Sequence, residues 1–335
     1  MSYITKFGSF WGMYPQTEGR IFWVAPAASY TIEGTAFTAS DGNDGLSPER
    51  ALLTVAQAIT NATANVGDVI LLLPGAHTVT ATITVSKSGL TFTGLPHTST
   101  AYSSRGSAGP KKHRTTITNT DNGEILFTVS AGVNDTEFSF LHILPAGAGG
   151  VGIYLVNAAS AAGANRTYIH DCTFAMVDTV GTSTYGVQLG TLATGSTVDT
   201  LIRNCYFQSG DSTVSGANGA GVVTIGTAFG LEIANSTFAN MGTAAWARAV
   251  ESISAGTTGM LIRECDFINS TTATSLITTA VYATAALADG SIHMYRCYVA
   301  AGTDGVTAQA IVDVVLAESY IASSLVGGQI LFGNV

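Results

Sequence analysis

The chain has 335 residues, 46% of them hydrophobic, and 13 Lys and Arg against 22 Asp and Glu give a formal net charge of −9 at pH 7. Charged residues make up 10% of the chain, against about 25% in an average soluble domain. The longest apolar runs, such as Val69–Leu73, are far shorter than the roughly 18 residues of a membrane-spanning helix. The composition therefore excludes a helical membrane protein and a disordered chain, and indicates a folded protein rich in β-structure.

The distribution of charge argues against nucleic acid as a partner. Phosphate binding requires clusters of Lys and Arg, and the one dense basic cluster is Lys111, Lys112, His113 and Arg114. The N-terminal segment lacks the basic and continuous apolar regions of a secretory signal. We therefore expect synthesis in a cytoplasm, without export by that route.

The first predicted unit is an arm of residues 1–21, which has no part in the repeat found further on. Its aromatic residues are spaced by glycines, as is typical of an anchor that becomes ordered on a partner. The alternative is a strand that lies along the start of the following domain. The anchoring contacts predicted in the arm are Phe7, Phe10, Trp11 and Tyr14.

Residues 22–335 form the second predicted unit. Ser47 as an N-cap and Pro48 at the first helical position predict an amphipathic helix over about residues 47–63. A Gly- and Ser-rich basic stretch, residues 97–114, is expected to be a projecting loop. The apolar face of the helix is predicted to consist of Leu52, Val55, Ala56 and Ile59.

A repeat of about 30 residues runs through the second half of the chain. Its unit is a six-residue string such as Ile169–Phe174 or Ile202–Phe207, and successive copies are spaced by 33, 31, 29, 32 and 22 residues. The fourth and sixth positions alternate with more polar ones, as in a strand with one buried face. The first position breaks this alternation, so a bend must precede the fourth. The third position, for example Asp171 or Asn204, suits the left-handed conformation of a sharp bend.

This period, with one short strand signature and no helical pattern, predicts an all-β fold in which stacked coils share one core, a single-stranded parallel β-helix. The I-x-N-C/S-x-F strings, with Asn at a two-residue corner, resemble those of the pectate-lyase-like family over about residues 22–335. The resemblance implies a right-handed parallel β-helix with an N-terminal capping α-helix. Glu264, Arg296 and Glu318 depart from the Asn preference, so differently shaped corners are expected there.

The four cysteines occupy the fourth position of the repeat, which also holds Ser236 and Ser319. Coils stack about 4.8 Å apart. A ladder of free, buried thiols is a simpler expectation than disulfides. There is no C-x-x-C pair and no spacing of His and Cys typical of a metal site, so neither a metal nor a cofactor is predicted. The column consists of Cys172, Cys205, Cys265 and Cys297.

Polysaccharide cleavage is an alternative, because parallel β-helices often degrade polysaccharides. A glycosidase needs two carboxylates roughly 5–9.5 Å apart. The best catalytic candidates in the sequence are Glu264, Asp266 and Arg263, with Arg296 one coil further on. A surface ion pair between Glu264 and Arg296 explains these residues without catalysis.

A second set consists of His170, Asp171 and Asp178 near Arg203. Asn204 stands at the position that matches Asp171 in the next coil, so the repeat offers no second carboxylate there. We therefore interpret the set as a corner aspartate beside a solvated histidine.

Tyrosines recur at the outward fifth position of the repeat, as Tyr206, Tyr298 and Tyr320. Such residues bind sugar rings or pack against another subunit. The sparse charge of the chain favours packing, because exposed uncharged walls are best buried against other copies.

The anchor-like arm and the lack of an assembled acid and base site predict a structural protein, and the resemblance to β-helix proteins of tailed bacteriophages implies that it belongs to a virion. Its resemblance to phage β-helix proteins implies a homotrimer, and we expect a capsid decoration or cement protein on the virion surface, anchored by its arm to the capsid lattice or another virion protein. The alternatives are a tailspike or secreted polysaccharide-degrading lyase or hydrolase, and a non-catalytic adhesin that binds a host surface glycan.

Overall fold

The computed structural model describes residues 19–95, 115–120, 124–145, 149–157, 163–176, 184–191, 196–209, 217–240, 246–253, 257, 259–269, 277–283, 292–299, 304–308, 314–317, 320–321, 325–326 and 330–332. Three parallel sheets run along the molecule. Along the chain, a strand of the first face is followed by one of the second and one of the third, and the next coil then begins. The chain is a right-handed parallel β-helix, as predicted.

The strands of the first face pair with one another, and each precedes the sharp corner of its coil. Its strands are Ile21–Val24, Val69–Leu72, Thr91–Gly94, Asn134–Ser139, Asn165–His170, Leu201–Arg203, Glu232–Ala234, Met260–Arg263, Ile292–Tyr295, Val314–Ala317 and Ile330–Phe332, with Ser196–Val198 and Thr227–Phe229 pairing beside them.

The second face follows the corner, and the third face completes each coil. The second consists of Gly75–Val79, Thr115–Asn119, His142–Leu144, Thr173–Met176, Tyr206–Ser209, Thr237–Asn240, Asp266–Asn269, Tyr298–Val299 and Tyr320–Ile321. The third consists of Ile83–Val85, Ile125–Val129, Val151–Leu155, Tyr185–Leu189, Ala217–Thr224, Trp246–Ser252, Ile277–Ala283, Asp304–Ala308 and Leu325–Val326.

Identical side chains stack on one another in the core. The rings of consecutive phenylalanines on the second face are nearly parallel, with centroids 4.6, 4.8 and 5.0 Å apart. In-register parallel pairing produces this stack, because each ring lies directly above the ring of the previous coil. The stacked rings are those of Phe174, Phe207, Phe238 and Phe267.

The sharp corner between the first and second faces is left-handed in every described coil from Phe140 to Arg296. Asn204 and Asn235 have φ of 51° and 48°, as predicted for this position. The expectation that Glu264 and Arg296 would shape their corners differently is wrong, since their φ values are 53° and 50°. The sheets on both sides fix the corner; for example, Glu264 N donates to Tyr295 O at 2.8 Å. Sheet pairing thus overrides the preference of the residue.

The N-terminal helix is shorter than predicted. It spans Val55–Asn61 and its N-cap is Thr54, whose side chain accepts a hydrogen bond from Gln57 N. Ser47 makes no capping hydrogen bond, and Pro48 begins a separate 3₁₀ turn, Pro48–Arg50. The helix buries Val55, Ala58 and Ile59 in the main core.

An antiparallel hairpin, Ser29–Ile32 with Thr35–Thr38, lies between the first strand and the helix and was not predicted. Glu33 and Gly34, at its turn, both have positive φ, as a tight hairpin requires. Tyr30 from this hairpin packs in a small apolar cluster outside the main core.

Candidate functional site

A histidine held between two carboxylates lies on the first face. His170 Nδ1 is 2.8 Å from Asp171 Oδ2, and His170 Nε2 is 3.0 Å from Glu137 Oε1. Glu137 belongs to the preceding coil, where it is aligned with Tyr168. The imidazole also stacks on the Tyr168 ring, with centroids 4.2 Å apart, and 14% of its side chain is exposed.

Two opposing effects set the charge of His170. Burial lowers the pKa of the imidazole, whereas the hydrogen bonds and negative charges of Asp171 and Glu137 raise it, and the resulting pKa is about 9. His170 is therefore an imidazolium at neutral pH, and both its N–H groups donate to carboxylates. Because the ring fills the space between Asp171 and Glu137, these carboxyls are not placed to act on the two sides of a glycosidic bond.

The sequence placed His170 beside Asp171 and near Arg203, and the structure aligns Arg203 with His170 in the next coil. Sequence reasoning missed Glu137, because it compared only the corner position of neighbouring coils. Glu137 stands three residues before its own corner, directly before the inward-facing Phe138. The signal was an acidic residue in the column immediately before the first position of the repeat.

The residues predicted as weak catalytic candidates are divided between two faces. On the first face, Arg263 Nε donates to Glu232 Oε1 at 2.7 Å. Arg263 Nη1 lies 3.4 Å from Glu264 Oε2 at the corner. Asp266 begins a strand of the second face. The guanidinium of Arg296 lies 4.7 Å from the centroid of the Tyr295 ring. Arg263 thus holds two glutamates of adjacent coils, and the carboxylates of this set form part of an ion-pair ladder.

The third face carries a buried acid that the sequence did not single out. Only 1% of the Glu251 side chain is exposed; Oε1 accepts a hydrogen bond from Arg248, and Oε2 is buried with no hydrogen-bond partner. Burial raises the pKa of Glu251, and Arg248 opposes the rise. The Arg248 guanidinium lies 4.1 Å from the centroid of the Tyr282 ring, in the next coil. This pair is the strongest candidate for acid chemistry among the described residues.

The predicted tyrosine column is interrupted. Tyr206 is 9% exposed, and burial raises its pKa to about 12. Thr237 and Asp266 separate it along the column from Tyr298, which is 39% exposed. Tyr298 is paired with Tyr320 in the following coil, and the side chain of Tyr320 lies outside the described residues. Tyr298 is the described member of the column that is available for a surface contact.

Charge is concentrated on one wall of the column. Over residues 124–299, the charged side chains on the first face and its corners are Asp135, Glu137, Arg166, Asp171, Asp199, Arg203, Glu232, Arg263, Glu264 and Arg296. In the described part of the same coils, the second face carries Asp266, the third carries Arg248 and Glu251, and Glu124 directly precedes a strand of the third. Two walls are therefore almost uncharged.

Several predicted features lie outside the described residues. These are the anchoring contacts Phe7, Phe10, Trp11 and Tyr14, the acid Asp178, the corner residue Glu318 and the whole of the loop 97–114. Within the described ranges, no three His, Cys, Asp or Glu side chains converge on a metal position. The one described helix is too short to span a membrane, and no other span candidate occurs in those ranges.

The fold is shared with known polysaccharide lyases and a viral protein. The chain is similar to a rhamnogalacturonan lyase (TM-score 0.55, 14% identity, 90% of this chain and 74% of that one) and to the pectate lyase Pel9A (0.57, 14%, 90% and 70%). It is also similar to ORF18 of Geobacillus virus E2, with a TM-score of 0.50, 14% identity and coverage of 79% of this chain and 48% of the viral one. No protein-family profile and no curated protein matches the sequence. At these identities the likeness establishes the class of fold, the pectate-lyase-like parallel β-helix.

Proposed function

We propose that this chain is a structural protein of a tailed-phage virion, a homotrimeric β-helix that decorates or cements the capsid and is held there by its N-terminal arm. The observation that carries the proposal is the confinement of charge to one wall. A monomer would expose two nearly uncharged walls, whereas association of three copies about the long axis buries such surface and leaves the charged wall in water. The occurrence of the same fold in a protein of Geobacillus virus E2 supports a viral origin.

The ion pairs of the charged wall also support a structural role. Arg166 binds both carboxylate oxygens of Asp135 at 2.7 Å, and His170 and Arg263 each join acidic residues of different coils. These contacts tie adjacent coils together and engage the carboxylates with basic side chains. A carboxylate held in this way is not placed to act on a substrate, which favours a structural role.

The decisive experiment measures binding of the purified protein to capsids that lack it. We expect the full chain to sediment with particles. A variant lacking residues 1–18, which keeps the contacts of Arg20 with Asp68, should stay in the supernatant while keeping its β-rich circular dichroism. Binding by the truncated chain, or no binding by the full chain, would contradict anchoring by the arm.

A second candidate function, action on a glycan, is favoured by Glu251. Burial raises the pKa of this carboxyl, which favours a proton donor, and action on a glycan would require a sugar to reach a side chain that is 1% exposed. Incubation with host capsule and with pectin-like polymers, followed by assays for new reducing or unsaturated ends, tests this function. Product that disappears in Glu251→Gln, or in Glu264→Gln with Asp266→Asn, would select it over the structural role.

A further inference from the structure

The cysteine column is divided into two pairs. Cys172 and Cys205 occupy consecutive coils, as do Cys265 and Cys297, and Ser236 fills the coil between the pairs. Pairing is in register at each site, because Tyr206 N donates to Cys172 O and Tyr298 N donates to Cys265 O, both at 2.9 Å. All four thiols are free and buried.

Within each pair the thiols are close enough to affect each other's ionisation. Besides burial, Cys172 raises the pKa of Cys205, and Cys297 raises the pKa of Cys265. Both later thiols also point to the coil before, since Cys205 Sγ donates to Ile169 O at 3.6 Å and Cys297 Sγ to Ile262 O at 3.5 Å. Consecutive coils of a parallel sheet are about 4.8 Å apart, which is inside the Cα separation of roughly 4.4–6.8 Å that a disulfide spans. Both pairs therefore need only a side-chain rotation and a small shift of the backbone to form a bond.

We propose that these two pairs are oxidation sites that form inter-coil disulfides, Cys172–Cys205 and Cys265–Cys297. Four cysteines allow three pairings, and the column selects one. Cys205 and Cys265 are two coils apart, about 9.6 Å, which is beyond the reach of a disulfide. Any other pairing would join cysteines that are two or more coils apart, so it could form only if the coils between them unfolded.

The chemistry needs a small-molecule disulfide such as oxidised glutathione. The thiolate of one cysteine attacks the oxidant, forms a mixed disulfide and releases one glutathione thiolate. The thiolate of its neighbour attacks the protein sulfur of that mixed disulfide and releases the second. The two cysteine protons pass to the two released thiolates, so two protein thiols are oxidised and one small disulfide is reduced. Burial raises the pKa of Cys205 and Cys265, so the reaction proceeds through local opening of the coil.

The bonds would join coils that otherwise hold together by sheet hydrogen bonds and packing. Each closes a loop of about 30 residues, and a cross-link of that size stabilises the folded chain by restricting the unfolded one. A protein made in a reducing cytoplasm and then carried outside on a virion would gain these cross-links after release. That biological setting rests on the proposed function, whereas the pairing itself does not.

The test uses the full chain, oxidised glutathione and mild urea, followed by alkylation of free thiols and peptide mapping by mass spectrometry. We expect cross-links only between residues 172 and 205 and between 265 and 297, with a melting temperature about 5 °C higher than that of the reduced protein. Thiols that stay reduced, a cross-link between Cys205 and Cys265, or an unchanged melting temperature would each overturn the proposal.

Matched variants identify each bond. Cys205→Ser should keep the 265–297 cross-link and Cys297→Ser the 172–205 cross-link. Serine suits this column, since Ser236 Oγ donates to Ala234 O at 2.9 Å, so both variants are expected to fold. Loss of both cross-links in either variant would also contradict independent pairs. None of these results depends on whether the protein binds a capsid.

Discussion

At the scale of single residues, the charged groups of this protein differ in how deeply they are buried and in how many partners hold them. His170 is held on both sides by carboxylates of two coils, and Asp68 is fully buried at the base of the arm. Asp44 pairs with Arg50 in solvent. The same residue types therefore have different effects on stability, and the differences can be measured.

His170 should make stability fall as the pH rises. Its pKa is about 9 in the folded protein and ordinarily 6.5. The stabilisation by the imidazolium is therefore complete below pH 6.5 and disappears as the pH rises through 9. This difference in pKa corresponds to about 3 kcal/mol in the free energy of unfolding. Solvent screening at a partly exposed site lowers the expected value to ~2 kcal/mol. Urea unfolding at pH 6 and pH 9.5 measures it.

The matching variant is His170→Gln, which should remove that pH-dependent loss. His293→Gln, at an exposed histidine of the same face, should keep it. An equal loss in the wild type and in His170→Gln would show that another group titrates.

Asp68→Ala should destabilise the protein far more than Asp44→Ala. Asp68 accepts hydrogen bonds from Arg20 N at 2.7 Å and from Thr63 N at 2.6 Å, and it also pairs with the Arg20 guanidinium. Its removal leaves donors in the interior without a partner, so we expect a loss of about 3 kcal/mol in the free energy of unfolding. The exposed pair of Asp44 and Arg50 should contribute about 1 kcal/mol or less.

Chemical denaturation of the two variants makes this comparison. Similar midpoints for both would mean that the contacts of the buried Asp68 carboxylate with Arg20 and Thr63 contribute little to stability.

At the scale of strands and coils, complementary ladders build the core. Opposite the stacked phenylalanines, small residues recur on the third face. A Cβ on Gly186 would lie 2.9 Å from Phe207 Cδ1, and one on Gly221 would lie 2.7 Å from Phe238 Cε1. Glycine in this column leaves the space that the neighbouring ring fills.

Gly186→Ala should therefore destabilise the protein by about 2 kcal/mol, since the added methyl group meets a packed ring and the Gly221 carbonyl oxygen, 2.6 Å away. Gly42→Ala is the control, because the nearest atom to its Cβ is Ser40 Oγ at 3.5 Å, and its effect should stay within about 0.5 kcal/mol. Thermal unfolding followed by circular dichroism compares them. Equal melting temperatures would show that the ladder can shift to admit a methyl group.

Prediction at this scale succeeded where a residue type recurs in one column. The Ile, Cys and Phe positions and the left-handed corner could be predicted because each coil places the same types of side chain at the same positions. The start of the helix was not, because Ser47–Pro48 and Thr54 are both plausible beginnings and only contact with the core selects Thr54. Glu137 escaped notice because its importance depends on a neighbour in another coil, and Glu251 because only the structure shows that its side chain is buried.

At the scale of the whole molecule, the unequal charge of the three walls predicts the mode of assembly. We expect light scattering to give three times the 34.3 kDa of one chain. An arginine introduced on an almost uncharged wall should weaken the trimer, because a buried charge without a partner is costly. Gln208→Arg, whose neighbours in register are Ala175 and Ala239, tests the second face, and Thr128→Arg tests the third.

Leu261→Arg introduces the same charge on the first face and serves as the control. It should leave the mass unchanged, since that wall remains in water. A monomeric wild type, or a trimer that only Leu261→Arg disrupts, would contradict burial of the uncharged walls.

The repeating pattern of side chains was enough to predict a parallel β-helix, its interior column of thiols and its corners, because each coil must bury the same face against the next. The structure alone shows which side chains of different coils meet: Glu137 with His170, Glu232 with Arg263, and Arg248 with Tyr282. Loops of unequal length separate the coils, so spacing along the chain does not tell which side chains lie opposite each other. The register of strand pairing determines which side chains lie opposite each other, and therefore which charged groups pair on the surface.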